Sequence, residues 1–216
     1  MRRHEPAGPP QGRIPEGAAR SLPGASRLWR GSWLAAASLL AALLWQGSTA
    51  AQDRAAENPA RVEAAFLRNF ARYVSWPTRA FASEQSPWFV CLLGRNEFDS
   101  ALEATFLGRT EHGRAFEVVR AARLDQLPAC QIVFVDLPVA TERRAALAEL
   151  RKLPVLTVGR APEFLEEGGV IRLLAGERIE MSINLDQARA AALTIPSKML
   201  EISREIVENG TLRRWR

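Results

Sequence analysis

The sequence is poor in the residues that build metal and catalytic centres. It has two cysteines, Cys91 and Cys130, and two histidines, His4 and His112. That inventory, at these spacings, excludes a Cys/His zinc site. There is no Gly-x-Gly-x-x-Gly and no Gly-Lys-Ser/Thr, so no phosphate cradle is signalled. Gly-x-Ser-x-Gly is also missing, and a hydrolase triad would have to use His112. Asp136 at the end of one strand and Thr157 within the next are placed as in a phosphoacceptor, but that chemistry needs clustered acids at the end of the first strand. Leu93 and Gly94 stand there instead. The chain is expected not to be an enzyme and to carry no metal and no cofactor.

Charge of one sign is lacking as well. The formal net charge is +5, but the first fifty residues hold six Arg and two Glu, a net of +4, which leaves about +1 for the rest. Phosphate binding needs a concentrated basic face, so no nucleic-acid partner is expected.

What the first fifty residues do contain is a targeting pattern. Arg27 and Arg30 precede a Leu- and Ala-rich apolar stretch from Trp33 to Trp45, followed by small residues at Ser48-Thr49-Ala50-Ala51. The apolar core is short against the roughly 20 residues of a bilayer span, so 1–50 reads as a signal peptide behind a long leader. An uncleaved signal anchor is the alternative. Residues 51–58 would be a short mature N-terminus, and the protein is expected to be periplasmic. Export gives the cysteines meaning, because an oxidising compartment lets them pair. Two readings stand: a disulfide, which export favours and which in the chain-entropy model is worth about 3–4 kcal/mol, or two buried thiols packed as small hydrophobes.

Three short apolar runs organise the remainder. Cys130-Gln131-Ile132-Val133-Phe134-Val135-Asp136 ends at Leu137-Pro138, and Trp88 to Gly94 and Val155 to Gly159 have the same character. Their β-branched content reads as strands buried on both faces. A helix over 60–76 follows from the spacing of Val62, Phe66, Phe70 and Val74, with Pro77 as its stop. Further helices are expected over 97–106 and 142–151, the latter capped by Thr141, and 116–120 is a fourth strand. The fold class is therefore α/β: three α/β/α layers on a mostly parallel sheet, in the 2-1-3-4-5 order of flavodoxin- and receiver-like folds. A short helix over 162–167 precedes Gly168-Gly169, and strands over 170–174 and 179–185 form an antiparallel hairpin edge. Helices over 186–193 and 196–207 close a single domain over 59–209, Asn209-Gly210 ending the last one. The basic tail over 210–216 is expected to be disordered.

In such a sheet the ligand crevice lies beyond the C-terminal strand ends. Gly94, Arg95, Asn96 and residues 136–141 would line it, with Arg95 able to pair with an anionic ligand. The plainer reading is that Arg95 and Asn96 cap the following helix.

In their order along the chain, Phe66-Leu67, Asn69-Phe70-Ala71, Tyr73-Val74, Trp76-Pro77, Cys91-Leu92-Leu93-Gly94, Cys130 to Val135, Leu156-Thr157-Val158, Phe164, Gly168-Gly169-Val170-Ile171 and Ile183-Asn184 resemble the YfiR family of periplasmic regulatory proteins. Ala188, Leu193, Ile195 and Leu200 continue the likeness, which covers about 62–207. The resemblance implies a regulator that binds the periplasmic domain of an inner-membrane signalling protein, a diguanylate cyclase or a sensor kinase. Repression of the cyclase lowers cyclic di-GMP and biofilm. It also implies a possible homodimer, and Cys91 and Cys130 fall where a family disulfide falls. The better-known relatives have a second cysteine pair that this chain lacks, so no switch assigned to that pair carries over. Phe66, Asn69, Phe70, Trp76, Pro77, Gly94, Gly168, Gly169 and Asn184 are the motif residues, read as mainly structural. The alternative function is a periplasmic small-molecule-binding module using the crevice.

Overall fold

The computed structural model describes residues 59–95, 98, 100–174 and 179–214. The leader, the cleavage region, Asn96, the expected helix start at Glu97, the hairpin loop at 175–178 and the last two residues lie outside them. Among the described residues no helix is long and apolar enough to cross a membrane.

Helix α1, Pro59–Tyr73, buries Leu67, Phe70 and Ala71. It stops short of Trp76 because Ser75 leaves the helix to form an antiparallel bridge with Thr194. The elements that follow are β1 (Trp88–Gly94), α2 (Ala101–Phe106), β2 (Thr110–Glu111), β3 (Arg114–Ala121), β4 (Ile132–Asp136), α3 (Ala140–Leu150), β5 (Leu156–Gly159), β6 (Ile171–Leu174) and β7 (Glu180–Asn184). Next come α4 (Leu185–Ala190), α5 (Ser197–Glu201), β8 (Glu205–Glu208) and β9 (Thr211–Arg214).

The described strands form one sheet in the order β2-β3-β1-β4-β5-β6-β7-β8-β9. From β3 to β6 the pairing is parallel, and β6 meets β7 antiparallel. This is the expected doubly wound order with its antiparallel hairpin. Alternation along the central strands makes the layers. Val90, Leu92, Ile132 and Phe134 face α1, α2, α4 and α5, whereas Cys91, Leu93, Val133 and Val135 face α3, Phe164 and Leu165. A strand needed on both faces has no room for polar alternation, which is why these runs are continuously apolar.

Further expectations need correction. Thr141 is not a cap: the Arg143 N–H already bonds the Val139 carbonyl, so α3 begins at Ala140. The segment 162–167 forms consecutive turns instead of a helix. Its chain reverses around the Phe164 ring, which occupies the space a Cβ would fill at both Gly159 and Gly169. The largest departure is at the C-terminus, where the helix expected over 196–207 ends at Glu201. The chain then forms β8, parallel to β7, turns at Asn209-Gly210 and returns as β9, antiparallel to β8. Ile206 thereby enters the core from a strand, and the tail expected to be disordered is paired through Arg214.

Candidate functional site

The C-terminal ends of β1 and β4, where the crevice was expected, are drawn together. The Arg95 N–H bonds the Asp136 carbonyl at 3.1 Å. A Cβ on Gly94 would sit 2.4 Å from that same carbonyl oxygen, and φ there is +102°, so only glycine fits. Arg95 has an exposed side chain and Asp136 is half-buried. Neither lines the groove beside Asn184 and Leu212 or the two smaller pockets against Glu149.

Ion pairs occupy both faces above these strand ends. On the α1 side, Arg160, immediately after β5, donates to both carboxylate oxygens of Glu63, whose side chain is 1% exposed. The guanidinium also lies 5.3 Å from the Phe98 ring centroid and 5.0 Å from that of Phe134. On the α3 side, Arg143 pairs with Glu167, and its Nη1 donates to the Leu137 carbonyl at 2.9 Å. Burying a charge is tolerable only when it is paired and bonded, and both carboxylates are.

At the opposite end of the sheet the disulfide joins Cys91 in β1 to Cys130 just before β4, with Cα atoms 6.1 Å apart. Cys91 is fully buried and Cys130 is 9% exposed. Beside it, buried Gln131 forms a hub. Its Nε2 donates to the Ala80 carbonyl at 2.5 Å, its Oε1 accepts from the Phe89 N–H at 2.8 Å, and its backbone carbonyl accepts from Trp76 Nε1 at 3.1 Å. Trp76 in turn stacks edge-on against Trp88, and Pro77 opens the short 3₁₀ turn that delivers Ala80. Gln131 carried no motif of its own; only its place after Cys130 signalled it.

The remaining motif residues divide between packing and turns. Phe70 is core and Phe66 half-buried, their rings 6.1 Å apart, while Asn69 is exposed. Gly168 adopts φ +99° in the turn after Glu167. Asn184 caps α4: its Oδ1 accepts from the Gln187 N–H and its Nδ2 donates to the Leu165 carbonyl, each at 3.0 Å. Gly168 and Asn184 also line a groove of about 620 Å³ that runs to Leu212 and Arg214.

Charge is concentrated around that groove. Arg172 donates to Glu205 at 2.6 Å and to the Pro162 carbonyl at 2.6 Å, and Arg214 donates to the other Glu205 oxygen at 2.8 Å. Asp186 accepts the Asn209 and Gly210 N–H groups at 2.9 and 2.8 Å. Those two bonds, Gly210's first, hold its carboxyl below the usual carboxylate range. Among the described residues no group of His, Cys, Asp and Glu is placed to hold a metal ion. The arrangement offers a disulfide-stapled sheet with a charged groove.

Comparison with known proteins separates family from fold. No curated protein matches the chain. Among solved structures it is similar to a conserved domain protein from Vibrio cholerae O1 biovar El Tor, at 12% identity and a TM-score of 0.41, covering 55% of this chain and 54% of that one. An ABC domain in complex with L-Trp from Streptococcus pneumoniae is 11% identical, with a TM-score of 0.41, covering 56% and 55%. The chain thus spans about half the length of these structures, and neither likeness bears on function. The model of the YfiR/HmsC-like family, by contrast, matches residues 60–204, from the start of α1 to the residue before β8. The chain belongs to the YfiR/HmsC-like family.

Proposed function

We propose that this protein is an exported, non-catalytic regulator. It binds the periplasmic domain of an inner-membrane signalling protein and holds it inactive; the partner is a diguanylate cyclase, so binding lowers cyclic di-GMP and biofilm. The observation that carries this reading is the family match over residues 60–204. The Cys91–Cys130 disulfide supports it, because such a staple suits a small domain working in an oxidising compartment. A bound domain without chemistry of its own can act only by preferring one state of its partner. Repression therefore means tighter binding to the inactive arrangement.

The test is co-purification of the tagged, exported protein from detergent-solubilised inner membrane, with and without reductant. A membrane cyclase recovered with the protein and lost in Cys91→Ser supports the proposal. Absence of any membrane signalling protein under both conditions contradicts it.

A further inference from the structure

Strand β9 is the last in the sheet, and Thr211, Leu212, Arg213 and Arg214 are all exposed. The turn before it has two residues, Asn209 and Gly210, at φ +53° and +69°. In a hairpin of this kind the flanking residues, here Glu208 and Thr211, form a hydrogen-bonded pair, and bonded and non-bonded pairs then alternate. Leu212 and Arg214 therefore turn their N–H and C=O groups away from β8. Among the described residues no strand takes them.

Open edges are commonly guarded by charge, but here the arginines fold inward. Arg214 reaches Glu205 at 2.8 Å and Arg213 reaches Glu208 at 3.7 Å, both across the ladder on β8. Each of those carboxylates holds a second guanidinium: Arg172 lies 2.6 Å from Glu205 and Arg189 2.7 Å from Glu208. Four arginines thus share two glutamates. Asp186, 3.9 Å from Arg189, offsets one more charge, which leaves this cluster one positive charge in excess, while the neighbouring groove is lined by four arginines and four carboxylates. The carboxylates are also the recessed partners. Glu205 is 9% exposed and Glu208 25%, against 59% for Arg213 and 71% for Arg214. An approaching chain meets guanidinium first.

We propose that the β9 edge docks an extended acidic segment of a partner protein, which adds to the sheet as a further strand. Main-chain bonds to Leu212 and Arg214 supply the attachment. Alternate side chains of the added strand fall over the groove that Leu174, Val207 and Leu212 line, and select the sequence. A second copy is a poor occupant, because antiparallel pairing of two β9 strands brings their arginines together. The inference rests on the reading that the chain works through a protein partner, whether or not that partner is a cyclase.

The test uses the exported protein and two labelled peptides, one alternating Glu with Val and one alternating Lys with Val, followed by fluorescence anisotropy. The Glu peptide is expected to bind about tenfold tighter than the Lys peptide. Leu212→Pro removes an outward N–H without taking a bond from β8, and should weaken binding about tenfold. Leu212→Ala keeps that N–H and should weaken it no more than about threefold. Arg213→Glu with Arg214→Glu should reverse the preference, a result that stands even if the proline variant fails to fold. No binding of the Glu peptide, equal binding of both peptides, or equal losses in Leu212→Pro and Leu212→Ala would overturn the proposal. So would a dimer that Leu212→Pro dissolves. Because the readout is peptide binding, a failure here is separable from a failure of the cyclase reading.

Discussion

Glu63 and Arg160 are 97 residues apart in sequence and form a bidentate pair in which the carboxylate is almost wholly buried. The pair ties α1 to the end of β5. Removing Arg160 strands a buried carboxylate. Arg160→Met is therefore expected to cost about 3 kcal/mol, the low end for such a loss because Arg160 keeps some exposure. The double variant Glu63→Met, Arg160→Met should lose less than Arg160→Met alone. Urea unfolding of the variants checks both.

Cys91 and Cys130 close a loop of 39 residues of sequence separation. Reduction, or Cys91→Ser with Cys130→Ser, should lower stability by about 3–4 kcal/mol, chiefly through the greater freedom of the unfolded chain. The measurement is the denaturant midpoint with and without reductant. The double-serine variant should be insensitive to reductant.

Phe164 lies between two glycines that leave no room for a methyl group. A Cβ at Gly159 would come within 2.4 Å of the ring, and one at Gly169 within 2.2 Å. Gly169→Ala should overpack the site by about 1–3 kcal/mol. The paired change Gly169→Ala, Phe164→Leu should recover part of that loss, seen as a partial return of the thermal midpoint.

Asp186 should make the β8–β9 hairpin sensitive to acid. Its folded-state pKa is lowered, first by the Gly210 N–H and then by the Asn209 N–H. A depressed carboxyl contributes stability that is fully present above its unfolded pKa and lost as pH falls through its folded value. Protection of β9 amides, measured relative to the unfolded-chain exchange rate at each pH, should therefore fall below about pH 4 in the native protein. In Asp186→Asn the protection should be lower at neutral pH and respond less to acid.

Much of the fold was legible because burial on both faces leaves a mark. The runs at 88–94, 132–136 and 156–159 could be neither amphipathic helix nor half-exposed strand, and their spacing allowed the parallel order. The hairpin of β6 and β7 showed in the alternation of Met181 and Ile183. The C-terminus misled for a physical reason. Met199, Ile202 and Ile206 fit a helical period, yet Ile202 is 70% exposed and Ile206 reaches the core from a strand. Asn209-Gly210 was read as a helix stop, although two residues that accept positive φ are equally the signature of a tight hairpin. The ion pairs could not be read at all. Glu63 with Arg160, Arg143 with Glu167 and Glu205 with its two arginines become neighbours only after the sheet forms. Gln131 was visible only as a member of the apolar run that begins at Cys130; its role as a hub was not, because a single amide carries no pattern.

Intracellular cyclic di-GMP in a strain deleted for this protein tests the proposed repression of a membrane cyclase most directly. Deletion should raise the level, the native protein supplied in trans should restore it, and Cys91→Ser should fail to do so. An unchanged cyclic di-GMP level on deletion would contradict the account, whatever partner the domain is later found to bind.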